Sequence, residues 1–227
     1  MVQVPDFSVE TVLADSCGGT VIAGMDEVGR GALAGPVAVG VAAVDIVLVE
    51  PLEGLRDSKQ LTALQRERMA LAIPAWAATA VGWSSPEEID AYGLSAALGL
   101  AGRRAWHELV TTANSIPNGL VLDGNAMWLH NAPEALTELL SPVESEVMLQ
   151  TKADAKCATV SAAAITAKVA RDALMVQLAE QHPAYGWESN KGYASAVHRA
   201  ALTSHGVTPY HRRSWNLAPD ALQLPLL

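Results

Sequence analysis

Three apolar stretches of this chain run into carboxylates. Thr20-Val-Ile-Ala-Gly-Met ends in Asp26-Glu27, Gly119-Leu-Val-Leu ends in Asp123, and Val147-Met-Leu-Gln leads through Thr151-Lys-Ala to Asp154. Short apolar runs bounded by turn residues read as buried strands. In open α/β sheets, sites gather at the carboxyl ends of strands, so acids far apart in sequence can meet there. Such acids repel one another, and burial adds a desolvation cost. The cluster persists only if it is protonated or neutralised by cations. Oxygen-seeking Mg²⁺ or Mn²⁺ suits one or two carboxylates together with waters and substrate phosphates.

Each acid has a plainer alternative. Asp123-Gly124 also fits a turn, and Asp154 also fits a helix cap. Asp26-Glu27 is harder to explain that way, because no turn needs two acids at the end of an apolar strand before Gly29-Arg30-Gly31. Adjacent strand residues point to opposite faces. Both acids therefore reach one site only if the chain bends at Val28-Gly29 or if one of them contributes its backbone carbonyl.

The rest of the chain supports a mixed sheet covered by helices on both faces. Residues 1–18 read as a loose lead-in. Val37 to Val49 and Ala77 to Trp83 read as strands. Thr62, with Gln65 three residues on, predicts a capped helix to about Ile73. Ser85-Pro86 opens a helix from Glu87 towards Val110, weakened at Gly93. An alanine-rich helix is expected from Cys157 to Gln181, ended by His182-Pro183, and a last helix from Ser195 to Ser204. There is no internal repeat.

Composition narrows the class. At 227 residues the chain suits one large domain. Half of it is hydrophobic and 17% charged, which excludes a disordered chain. Two cysteines, Cys17 and Cys157, exclude a disulfide scaffold and a four-cysteine zinc site. No basic leader is visible, and no apolar run reaches the ~20 residues of a membrane span. A soluble protein of the reducing cytoplasm is expected, with no membrane partner. The net charge of −9 argues against a nucleic-acid binder, yet the stretch from Lys152 to Arg213 carries +4 against −13 elsewhere. A basic face on an acidic body is therefore expected.

The motifs together resemble bacterial ribonuclease HII. The resemblance runs from Met25-Asp26-Glu27-Val28-Gly29-Arg30-Gly31 and Ala34-Gly35-Pro36-Val37 through Asp57-Ser58-Lys59-Gln60-Leu61-Thr62 and Leu122-Asp123-Gly124-Asn125. It continues in Lys152-Ala153-Asp154-Ala155-Lys156-Cys157, Ser161 to Ala164 and Ala167 to Asp172, and ends in Asn190-Lys191-Gly192-Tyr193 and His211-Arg212-Arg213-Ser214. It implies a ribonuclease H-like α/β fold: a five-stranded mixed sheet flanked by helices, with a C-terminal helical extension, over residues 19–216. It implies cleavage of the RNA strand of RNA–DNA hybrids and nicking of duplex DNA 5′ of a single embedded ribonucleotide, leaving 3′-hydroxyl and 5′-phosphate ends. The family's four acids fall on Asp26, Glu27, Asp123 and Asp154, its 2′-hydroxyl clamp on Gly29, Arg30 and Gly31, and its junction-sensing tyrosine on Tyr193. The chain departs from the pattern at Gly93, Ala153, Ala194-Ser195 and Trp215, none of which removes a carboxylate.

With these residues in place, two Mg²⁺ or Mn²⁺ ions between the four acids would activate water and stabilise the leaving 3′-oxygen. Gly29 and Gly31, lacking Cβ, would let the backbone approach a sugar. Lys59, Lys152, Lys156, Lys168, Lys191, Arg199, Arg212 and Arg213 are the candidate phosphate contacts. Arg171-Asp172 reads as a structural salt bridge. His198, His205 and His211 read as packing or phosphate neighbours, and Cys157 as a core residue. The apolar tail, residues 217–227, either docks on the body or binds a sliding clamp through residues 223–227. Competing readings are another divalent-metal nuclease of the same fold, a catalytically silent hybrid-binding module, and a small-molecule phosphatase.

Overall fold

The computed structural model of the chain describes residues 4–217. Five strands form one mixed sheet: β1 (Val21–Val28), β2 (Val37–Asp45), β3 (Ala78–Ser84), β4 (Gly119–Asp123) and β5 (Glu146–Gln150), in the order β3-β2-β1-β4-β5. β1, β2 and β3 pair antiparallel; β4 joins β1, and β5 joins β4, in parallel. In the β1–β4 register Met25 lies opposite Leu122. The acids that follow each of these residues therefore leave the sheet at the same edge.

Among the described residues there are seven α-helices: α1 (Ser8–Cys17), α2 (Ala63–Ala72), α3 (Pro86–Tyr92), α4 (Leu94–Ala113), α5 (Ala158–Gln181), α6 (Trp187–Asn190) and α7 (Ala196–His205). Strand alternation sorts the core. Ala23, Met25, Leu120 and Leu122 pack with Trp106 and Leu109 of α4 on one face. Ile22 and Val121 pack with Val160 of α5 and Leu13 of α1 on the other. The small residues of α5 serve close approach. At Gly40 of β2, a Cβ would collide with the Ala163 carbonyl of α5. A third cluster, built on Tyr185, Trp187, Leu202 and Met175, forms the C-terminal lobe.

Several local expectations hold. Thr62 and Gln65 form the complete capping box of α2, and Ser85 forms another with Glu88 at the start of α3. Two need correction. The single helix expected from Glu87 to Val110 is two, because Gly93 adopts φ 80° and divides α3 from α4. The lead-in is not loose over residues 8–17, which form α1. Asp6 bridges Cys157, and Glu10, fully buried, accepts hydrogen bonds from the Thr159 backbone N–H (2.9 Å) and Oγ1 (2.8 Å). Among the described residues no helix is long and apolar enough to cross a membrane. Residues 223–227, the expected clamp-binding segment, lie outside the described residues.

Candidate active site

The four acids line one cleft of about 380 Å³ at the carboxyl edge of the sheet, with Gly29, Arg30, Gly31, Lys59, Lys168 and Tyr193. No bend at Val28 is needed to bring Asp26 and Glu27 together, since β1 runs on through Val28. Asp26 shares strand parity with Gly24, which abuts α5. Glu27 shares it with Met25, which packs towards α4. At the end of the sheet the two acids straddle the edge, and Glu27 also lines a second hollow beside α4, with Asp123 and Ser95. Asp154 arrives separately, on the 3-10 turn Ala153–Ala155 ahead of α5.

Each acid has one oxygen engaged by a protein donor. Asp26 Oδ1 accepts from the Glu27 N–H at 2.7 Å, and Asp123 Oδ1 accepts from the Ala153 N–H at 2.7 Å. Arg30 Nη1 donates to Glu27 Oε1 at 3.3 Å, and Lys59 Nζ to Asp154 Oδ2 at 2.9 Å. Glu27 Oε2 is buried without a partner. Burial, and then the charges of Glu27, Asp123 and Asp154, hold Asp26 well above the usual carboxylate range. Burial also raises Glu27 and Asp123. The hydrogen bond to Asp154 raises Lys59. Among the described residues no three His, Cys, Asp or Glu side chains close on a single ligation point. The donors nevertheless fit a hard divalent cation. They are all oxygen, one oxygen is orphaned, and the Lys59 ammonium already occupies a cation's position at Asp154.

The Gly29-Arg30-Gly31 loop borders the cleft, but its two glycines serve different ends. Gly29 has φ 83°, and the Cβ it lacks would lie on the Arg171 guanidinium beneath it, not on a ligand. Gly31 is the open one: its Cβ would meet only Tyr193 Cε1, at 3.9 Å. Gly29 O accepts from the Ala32 N–H, and no hydrogen bond uses the Arg30 or Gly31 N–H among the described residues. Tyr193, 37% exposed, lines the same cleft, and its backbone is held from behind. Trp187 Nε1 can only donate, so His198 Nε2 accepts and His198 Nδ1 donates to Tyr193 O at 2.9 Å. Ser195, one of the departures, caps α7 and also accepts from Asn190 Nδ2.

The expected phosphate contacts divide. Lys59 and Lys168 reach the cleft. Lys168 and Lys191 line an adjoining hollow against α2. Lys156 is not among the cleft's lining residues. Arg212 is corrected outright: it is fully buried and bonds backbone carbonyls, so it cannot meet a phosphate. Arg171 is no salt bridge to Asp172 either. Asp172 pairs with Lys168 at 2.7 Å, while Arg171 is buried and donates to Pro36 O, Ala34 O and Lys191 O. An arginine on the buried face of an alanine-rich helix was the signal available for it. His198 and His211 are packing residues, bonded Nε2 to Nε2 at 3.0 Å inside the C-terminal lobe.

Comparison with known proteins agrees with this arrangement. The family model for ribonuclease HII matches residues 23–218. The chain is 44% identical over 211 residues to the ribonuclease HII of Ruegeria pomeroyi, covering 93% of this chain and 82% of that one. It is 43% identical over 214 residues to that of Streptomyces avermitilis, covering 94% and 84%. Among solved structures it is similar to the ribonuclease H2 of Pyrococcus horikoshii, with a TM-score of 0.72, 30% identity, and 89% and 97% of the chains covered. It is also similar to the ribonuclease HII of Archaeoglobus fulgidus solved in complex with PCNA, with a TM-score of 0.64, 27% identity, and 89% and 98% covered. With the acid-edged mixed sheet, the loop and the family match all falling within residues 23–218, the chain belongs to the ribonuclease HII family and is a ribonuclease of the H type.

Proposed function

We propose that this enzyme cleaves the RNA strand of RNA–DNA hybrids and nicks duplex DNA on the 5′ side of a single embedded ribonucleotide, leaving 3′-hydroxyl and 5′-phosphate ends. One juxtaposition carries the reading: four carboxylates face the cleft that the Gly29-Arg30-Gly31 loop and Tyr193 border. Asp26, Glu27, Asp123 and Asp154 would hold Mg²⁺ or Mn²⁺. Bound there, such ions supply Lewis-acid activation of water and charge neutralisation at the leaving oxygen of an in-line displacement.

The chain's own groups select the substrate. The free N–H groups of Arg30 and Gly31 are donors for a ribose 2′-hydroxyl, the group that distinguishes RNA from DNA. Without that hydroxyl they stay unpaired, which is how a polar site rejects an analogue. Tyr193 offers its ring to the deoxyribose on the 3′ side, where a second hydroxyl would clash. Lys59 and Lys168 position the backbone without reading sequence. The Archaeoglobus relative's complex with PCNA supports reading residues 223–227 as a sliding-clamp ligand. Deleting them is expected to abolish clamp pull-down and leave cleavage intact.

The decisive assay uses a duplex with one embedded ribonucleotide, an all-DNA duplex, and either Mg²⁺, Mn²⁺ or EDTA. A single nick 5′ of the ribonucleotide, lost in EDTA and absent from all-DNA, is expected. Cleavage in EDTA, or equal cleavage of both duplexes, overturns the proposal.

A further inference from the structure

Two arginines, Arg171 and Arg212, are fully buried beneath the Gly29-Arg30-Gly31 loop. Neither has a carboxylate within salt-bridge distance among the described residues. A buried guanidinium without a counter-charge is costly unless its donors are satisfied. Here every guanidinium nitrogen of both donates to a backbone carbonyl, and the two arginines take different ones. Arg171 grips the far side of the loop and the segment leading into Tyr193, through Pro36 O (2.8 Å), Ala34 O (3.2 Å) and Lys191 O (3.0 Å). Arg212 grips the near side, through Gly29 O (2.7 Å), Arg30 O (3.0 Å) and Gly35 O (3.0 and 3.1 Å). The Trp215 ring lies 4.9 Å from the Arg212 guanidinium carbon.

The carbonyls of Gly29 and Arg30 belong to the same peptide units as the N–H groups of Arg30 and Gly31. A peptide unit is planar and trans, so its C=O and N–H point in opposite directions. Fixing the two carbonyls inward on Arg212 therefore turns the two N–H groups outward. A cation at the carbonyl also polarises the unit and strengthens its N–H as a donor. From this geometry we infer that Arg212 is a positioning residue for ribonucleotide selection: it aims and strengthens the N–H groups of Arg30 and Gly31 and never touches the nucleic acid. The inference rests on reading the loop as the 2′-hydroxyl clamp. Lysine cannot replace Arg212, because one ammonium cannot fork to three carbonyls in a fixed plane.

The test is Arg212→Lys, read as two numbers: kcat/KM on the single-ribonucleotide duplex, and the inhibition constant of an all-DNA duplex as competitor. Misaimed donors should lower kcat/KM about tenfold or more, while the inhibition constant stays within about twofold. A merely structural loss would lower the active fraction and kcat and leave KM unchanged; here KM rises. Unchanged kcat/KM overturns the inference. So does a parallel weakening of the all-DNA competitor, which would make Arg212 a general duplex contact. Failure of the clamp reading looks different: Gly31→Ala would leave wild-type kcat/KM unaltered. If Arg212→Lys does not fold, Trp215→Leu leaves the hydrogen bonds of Arg212 itself in place and removes the ring over its guanidinium. It should show a smaller drop of the same kind, and an unaltered kcat/KM in that variant also overturns the inference.

Discussion

The acid cleft and the arginine pair beneath the neighbouring loop both remove ionised groups from water, yet they are completed differently. Every nitrogen of the Arg212 guanidinium donates to a carbonyl. The acids are left short, with Glu27 Oε2 buried and unpartnered and Asp26 held far above its usual range by burial and then by its acidic neighbours. A buried charge whose every polar atom has a protein partner is scaffold. One that it leaves unsaturated awaits a ligand. Glu10 is intermediate, with one oxygen accepting two hydrogen bonds from Thr159 and the other accepting none. It holds its proton more tightly than an ordinary carboxyl, since burial raises it to about 7.

The sharpest way to break this comparison is at Asp26. Asp26→Asn keeps the size of the side chain and removes its charge. It should lower kcat on the order of 10³-fold, because metal-held charge stabilisation is worth several kcal/mol. Duplex binding should change far less. Wild-type turnover would show that the unsaturated cluster is not the site of chemistry.

Glu10 tests the intermediate case. Its folded pKa lies above the ordinary value of 4.5, so the folded state holds the proton more tightly than the unfolded state. Its contribution is complete below about pH 4.5 and is lost as pH rises through about 7. Glu10→Gln should remove that dependence. The difference in unfolding free energy between the two proteins should change by on the order of 3 kcal/mol between about pH 4 and pH 8. Parallel stability–pH curves would mean that Glu10 titrates alike in the folded and unfolded protein.

Tyr193→Ala should reduce nicking at a single ribonucleotide about tenfold, relative to cleavage within a continuous RNA strand. An unchanged ratio would remove the tyrosine from junction sensing. The smallest effect is expected at Lys59, whose side chain is 79% exposed and whose ammonium stands at Asp154 like a resident cation. Lys59→Met should tighten Mn²⁺ binding, measured calorimetrically, by a few-fold at most, as befits an exposed ion pair. Weaker Mn²⁺ binding would make Lys59 a support of the acid cluster.

Much of the fold was legible because local rules and global packing agree. The strand ends at Asp26 and Asp123, the caps at Thr62 and Ser85, and the small-residue face of α5 each follow from short-range chemistry. Gly93 was harder. Its break depends on a positive φ that an otherwise helical pattern conceals. The helix formed by residues 8–17 was missed because its main anchors, Thr159 and Cys157, lie some 150 residues away.

By itself the sequence determined which residues carry charge, where strands end, and that several acids leave one sheet edge. Those are properties of residue type and periodicity. Only the tertiary structure decided which charges are left open and which are closed. Arg212 and Lys59 are both basic residues in recognisable motifs, and nothing local separates them. One is enclosed by carbonyls contributed by residues more than 170 positions away, and the other stands in solvent at the mouth of the cleft. A side chain's role is fixed by whatever satisfies its donors, and those partners are assembled only when distant parts of the chain pack together.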